Sequence, residues 1–107
     1  MTTLTEQWAQ IVAFNDEIFP GWRDTALIYW TNALAGEVGE LCGDAKRMVG
    51  GGTNRAKPVP TKAKLAEELA DVLIYAVLLA ESEGMDEAAF AQAVADKVAE
   101  CRRRMGR

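Results

Sequence analysis

Leu34-Ala-Gly-Glu-Val-Gly-Glu-Leu41 decides how the rest of the chain reads, and Leu65-Ala-Glu-Glu-Leu-Ala-Asp-Val-Leu-Ile-Tyr75 answers it. Both stretches keep apolar residues at helical spacing. Each also carries two acids three residues apart, Glu37 with Glu40 and Glu68 with Asp71. Residues three apart on a helix are neighbours on one face, so each pair can converge on one point. Four carboxylates brought together repel, and partial burial raises their pKa values unless a cation compensates. A hard divalent ion such as Mg²⁺, which takes oxygen ligands and shares its shell with phosphates, resolves that conflict. One such pair says little, because solvated helix faces carry many. Two pairs on two helices, each bordering a strongly apolar surface, say more. The competing reading is that the pairs face different directions and form surface ion pairs with Lys46, Lys62 or Lys64, worth little energetically.

Working outward, the pattern predicts an all-α protomer of four helices at about 4–18, 25–49, 62–83 and 86–104. Thr3-Leu-Thr-Glu6 has the form of a capping box, followed by Leu4, Trp8, Ile11, Asn15 and Ile18 at helical spacing up to Pro20-Gly21. Asn15 interrupts that apolar stripe, either for an inter-helix hydrogen bond or to touch a ligand's base or sugar. Asp24 is positioned to cap the second helix, with an expected core stripe of Leu27, Trp30, Leu34, Val38, Leu41, Ala45 and Met48. At 100° per residue Glu37 lies at the edge of this stripe, and Glu40 is about 60° further round. Asp44 and Arg47 continue that side, as a solvated charged face or as part of a site. Thr61 and Asp86 suit the caps of the third and fourth helices, and Gly84 the end of the third. The third helix is apolar around nearly its whole circumference except at Asp71. It therefore needs cover on all sides, which predicts association as a dimer or dimer of dimers. Phe90, Ala91, Val94, Val98 and Cys101 form the expected inner face of the fourth helix.

Gly50-Gly-Gly-Thr-Asn-Arg-Ala-Lys-Pro-Val-Pro60 reads as a connection, from which Arg55 and Lys57 could close over a polyphosphate. It lacks the preceding strand and the Gly-Lys-Ser/Thr of a phosphate loop. Arg102-Arg-Arg104 suits a helix C-terminus, with phosphate binding as the alternative.

The 107 residues suffice for one domain, spanning 1–107, and the formal net charge of −4 argues against a surface that coats nucleic acid. The chain has no histidine, which excludes histidine-based triads and the usual zinc sites. Cys42 and Cys101 are too far apart for a CxxC pair. The first residues lack the basic and apolar regions of a signal peptide, and the apolar run from Val72 to Ala80 is about half of a membrane span. A cytoplasmic protein with no membrane and no nucleic-acid partner is the expectation.

Glu37-Val-Gly-Glu40-Leu followed by Glu67-Glu-Leu-Ala-Asp71-Val-Leu-Ile-Tyr75 resembles the MazG-type all-α nucleoside triphosphate pyrophosphohydrolases. Within them it looks most like the short dCTP pyrophosphatase-like branch, over roughly Trp22 to Arg104. The resemblance implies a catalytic metal site of Glu37, Glu40, Glu68 and Asp71 holding Mg²⁺, with Mn²⁺ able to substitute. It also implies cleavage between the α and β phosphates, release of the monophosphate and pyrophosphate, and a role in clearing the nucleotide pool. Gly36 stands where the fuller motif has a glutamate, as it does in the short branch. Lys97 matches a family lysine that approaches phosphate, and Cys101 replaces an asparagine expected nearby. Trp22 resembles a tryptophan that packs on the base, although a loop tryptophan sealing the bundle end would look the same. Arg47 and Arg104 are further candidates for phosphate oxygens, and Tyr75 for a hydrogen bond to substrate or to the ligand carboxylates. A non-catalytic helical oligomerisation or interaction module is the rival from another class. Phosphoribosyl-ATP pyrophosphohydrolase, also all-α and acidic, fits less well because its histidine-containing context is missing.

Overall fold

The computed structural model describes residues 2–50 and 58–107, so Arg55 and Lys57 lie outside the described residues. The described residues form four helices, α1 (Leu4–Ile18), α2 (Leu27–Met48), α3 (Lys62–Ser82) and α4 (Glu87–Arg104), and a 3-10 turn at Trp22–Asp24. The described residues contain no strand, and none of their helices is long and apolar enough to cross a membrane. The capping signals act as the sequence predicts at three helix starts. Thr3 accepts from the Glu6 amide, Thr61 from that of Lys64 and Asp86 from that of Ala89. Each satisfies one of the donors a helix start leaves open. Gly84 takes a left-handed φ of 79° after α3, a conformation that costs glycine nothing.

The start of α2 departs from expectation. Asp24 does not cap it. Instead Asp24 belongs to the 3-10 turn, whose hydrogen bonds run from the Asp24 amide to Gly21 O and from the Thr25 amide to Trp22 O. Burial of Trp22 holds that turn closed, so the chain stays extended at Thr25 and α2 begins at Leu27, after Ala26, without a side-chain cap.

α1 and α2 both pack on α3. Trp8 meets Val77 and Ala80, while Trp22 and Trp30 meet Leu78 with Ile74 and Tyr75 beside them. The core is therefore largely aromatic: Trp22 stacks edge-on against Trp30 with ring centroids 5.6 Å apart. Trp8 and Trp22 donate their indole N–H groups to Glu81 and Asp16 at 2.7 and 2.8 Å, whereas the buried Trp30 N–H has no partner.

Two expected faces turn out differently. On α2 Trp30 and Asp44 are buried and Leu34, Glu37, Leu41 and Met48 half-buried, while Leu27, Val38 and Ala45 of the expected stripe are exposed. The helix is rotated so that acids rather than valine enter the contact with α3. On α4 only Phe90 packs, 5.6 Å from the Trp8 ring, helped by a 2.6 Å bond from Thr5 to Glu87. Ala91 and Val94 stand across an open groove of about 210 Å³ from Leu4 and Leu73, and Val98 and Cys101 are exposed. Helical periodicity aligns these residues on one side of α4, but the expected inner face is met at Phe90 alone, because none of the described residues covers the rest.

Candidate active site

The α2–α3 seam is antiparallel, and its register fixes the site. Arg47 and Lys64 line one depression, Asp44 acts on Glu68, Glu37 is acted on by Asp71, and Trp30 lies against Tyr75. As residue numbers rise on α2 they fall on α3. Three acids meet in the middle: Glu37, Glu40 and Glu68 each offer an oxygen, and these oxygens all lie within 4.8 Å of one another. Asp71 sits one turn further along α3, close enough to Glu37 to raise its pKa, on the wall of the adjoining pocket. Three of the four predicted acids thus cluster directly, and the fourth borders them.

This cluster is electrostatically uncomfortable. Burial, then the charges of Glu40, Asp71 and Glu68, push the Glu37 carboxyl above its ordinary value. Burial also raises Glu68, with Asp44 and Glu40 adding to the effect and Lys64 opposing it. Glu68 and Asp44 are each only 5% exposed. One oxygen each of Glu37, Glu68 and Asp44 is buried with no hydrogen-bond partner. Such groups normally find partners or neutralise, because an unpaired buried charge costs several kcal/mol. Among the described residues the counter-charges are few: Lys64 lies 3.5 Å from both Glu67 and Glu68, and Arg47 pairs with Asp44. Of the ordinary ion pairs that the competing reading expects, Lys64 makes one with Glu68, while among the described residues Lys46 and Lys62 make none with the four acids. Hard oxygen donors left with uncompensated charge suit a divalent cation of the Mg²⁺ or Mn²⁺ type, which Glu37, Glu40 and Glu68 could hold, with Asp71 adjacent.

Beside the acids opens a pocket of about 300 Å³ lined by Asn15, Phe19, Tyr29, Trp30, Asp71 and Tyr75 among others. Burial first, then Glu37, raises the pKa of the Tyr75 hydroxyl, which keeps it protonated as a donor. Asn15 is buried and its Nδ2 has no partner, so the inter-helix hydrogen bond is not made by that atom. Tyr29 and Phe19 escaped the sequence reading. The signal available was an aromatic triplet, Phe19, Tyr29 and Trp30, flanking the turn between the first two helices, where ring centroids lie 4.9–6.1 Å apart.

Other predicted residues are not gathered here. Trp22 is 1% exposed, inside the core, with Arg23 over its ring at 4.4 Å, so it has no open face for a base. It is the tryptophan that seals the bundle end. The 3-10 turn points the indole inward onto Trp30 and Leu78, so the expected stacking on a base is not available to it. Lys97 and Arg104 both pair with Glu100 on the exposed face of α4 rather than with the acids of the seam. Arg47 is at the site, held by Asp44.

A family model described as the MazG nucleotide pyrophosphohydrolase domain matches residues 28–105, from the first turn of α2 to the end of α4. The chain belongs to this family. No curated protein and no solved structure shows significant similarity to it.

Proposed function

We propose that the protein hydrolyses a nucleoside or deoxynucleoside triphosphate between the α and β phosphates, in a reaction that depends on Mg²⁺ or Mn²⁺. The observation that carries this reading is the convergence of Glu37, Glu40 and Glu68 from two helices, with buried unpartnered oxygens, beside an aromatic pocket. Bound at these acids, the cation would neutralise charge on the phosphate oxygens. The pocket takes the nucleoside: Tyr29, Trp30 and Phe19 offer ring surfaces, while Tyr75 and Asn15 offer polar groups. Glu37 or Glu40, the two α2 acids of the cluster, is the base that accepts the proton. Water oxygen attacks the α phosphorus, its proton passes to the carboxylate, the bond from the α phosphorus to the α–β bridging oxygen breaks, and pyrophosphate leaves with that oxygen. Nucleoside monophosphate remains in the pocket. Removal of unwanted triphosphates from the nucleotide pool is the role this chemistry would serve.

The same proposal includes a homodimer or dimer of dimers. Leu69 and Leu73 on α3 and Phe14 on α1 stay exposed in the protomer, a surface that a second copy would cover. Lys97 and Arg104 then become available to phosphates only by reaching a site other than through their own seam. The test of function is incubation of the purified protein with a panel of canonical and modified triphosphates, with and without Mg²⁺, resolving pyrophosphate from phosphate. Monophosphate and pyrophosphate in equal amounts, only with the cation, is the expected result. No turnover of any member would leave the non-catalytic interaction module standing, and orthophosphate would move the cleaved bond.

A further inference from the structure

We infer that Lys64 and Arg47 form a subsite for the pyrophosphate end of the substrate, a deepening that rests on the triphosphate reading above. Both residues line one depression of about 390 Å³ with Pro58, Val59, Pro60 and Thr61, at the loop end of the seam. Read along α2, the seam runs from cations (Arg47) through acids (Asp44, Glu40, Glu37) to aromatics (Trp30, Tyr29). α3 runs the same order in reverse, from Lys64 through Glu68 and Asp71 to Tyr75. Ten helical residues from Glu37 to Arg47 cover about 15 Å, enough for a triphosphate lying along the groove. A nucleoside in the aromatic pocket then puts its α phosphate over the acids and its terminal phosphates between the two cations. The reverse orientation would leave the most highly charged part of the substrate among Phe19, Tyr29 and Trp30.

The present partners of the two cations make the assignment more specific. Lys64 reaches Glu68 at 3.5 Å, and Arg47 holds Asp44 while its Nε is buried without a partner. Each cation is paired with an acid at or beside the cluster. When a divalent ion takes over the charge of Glu68, Lys64 is released toward solvent, where its side chain is already 53% exposed, and is free to meet phosphate. Lys64 therefore competes with the metal and cooperates with the anion. That opposition of sign separates a phosphate subsite from a structural ion pair.

The test is calorimetric titration of the intact protein and of Lys64→Met and Lys64→Arg, with Mg²⁺ alone, then with inorganic pyrophosphate in saturating Mg²⁺, then with a nucleoside monophosphate. Lys64→Met is expected to bind Mg²⁺ at least as tightly as the parent, pyrophosphate about 10-fold more weakly, and monophosphate unchanged. Lys64→Arg is expected to recover pyrophosphate binding. Arg47→Lys, which keeps the charge beside Asp44, is expected to weaken pyrophosphate by a smaller factor because the bidentate fork is lost. Unchanged pyrophosphate binding in Lys64→Met, or equal weakening of pyrophosphate and monophosphate, would overturn the inference. If the parent turns over triphosphates while Lys64→Met keeps normal pyrophosphate binding, only this subsite fails. If the parent turns over none, the functional reading fails first.

Discussion

The α2–α3 seam and helix α4 break the rules of a stable protomer in opposite ways. The seam buries what belongs in water: Glu68 and Asp44, with unpartnered oxygens. α4 exposes what belongs inside, with Val94 at 49% and Val98 at 52% exposure. Buried like charges are the kind of site that the proposed divalent cation would relieve, whereas an exposed apolar stripe is the kind of surface that the proposed second copy would cover. The contrast separates chemistry from assembly within one small molecule, and it can be broken at either end.

The largest effect is expected in the seam. Glu68→Gln keeps the shape but removes the charge at the centre of the cluster, and turnover should fall by about 10²–10³-fold or more. Mg²⁺-dependent thermal stabilisation should vanish with it. A variant that retained both would dissolve the comparison, because the buried acids would then be ornamental. Next in size is Trp22→Ala, which should lose about 3–5 kcal/mol in urea unfolding, the cost of deleting a core indole. Should it instead fold normally and lose only substrate affinity, the sealing role assigned to Trp22 would be wrong. On α4, Val98→Asp should shift sedimentation toward a smaller species while the helical circular dichroism of the protomer stays unchanged. An effect on folding instead of assembly would mean that the helix packs within its own chain.

A subtler effect concerns pH. Glu37 and Glu68 have folded pKa values above the ordinary 4.5, so protonation favours the folded state. Their contribution is complete below the unfolded value and is lost as pH rises through the raised folded values. Without divalent cation, stability should therefore decline over that window, and Glu37→Gln should flatten the decline. Saturating Mg²⁺ should offset it in the parent alone. The smallest change is expected from Gly36→Ala. A Cβ there meets no atom within 4 Å, so the exchange should stabilise α2 by about 0.5–1 kcal/mol and leave turnover intact.

Much of this was legible in the sequence because helices advertise their period and their ends. Thr3, Thr61 and Asp86 cap where their side chains predicted, and of the two acidic pairs Glu37, Glu40 and Glu68 converge, with Asp71 at their border. What periodicity could not convey was rotation about each helix axis. Asp44 was as consistent with a solvated face as with burial, and only the antiparallel register with α3 turned it inward. Trp22 carried two meanings until the 3-10 turn set its direction. Tyr29 and Phe19 went unread because their place in the pocket depends on how the turn folds back over α2 and α3, a long-range consequence with no local pattern. Lys97 shows the converse: its family position was clear, yet within one protomer it pairs with Glu100.

The proposed reaction turns on where water attacks. Hydrolysis of a turned-over triphosphate in ¹⁸O-enriched water, followed by mass spectrometry of both products, tests this directly. Label in the nucleoside monophosphate, with none in pyrophosphate, is the predicted result, since the acids then direct water to the α phosphorus. Label in pyrophosphate would contradict it and place the reacting phosphorus one position further along the seam.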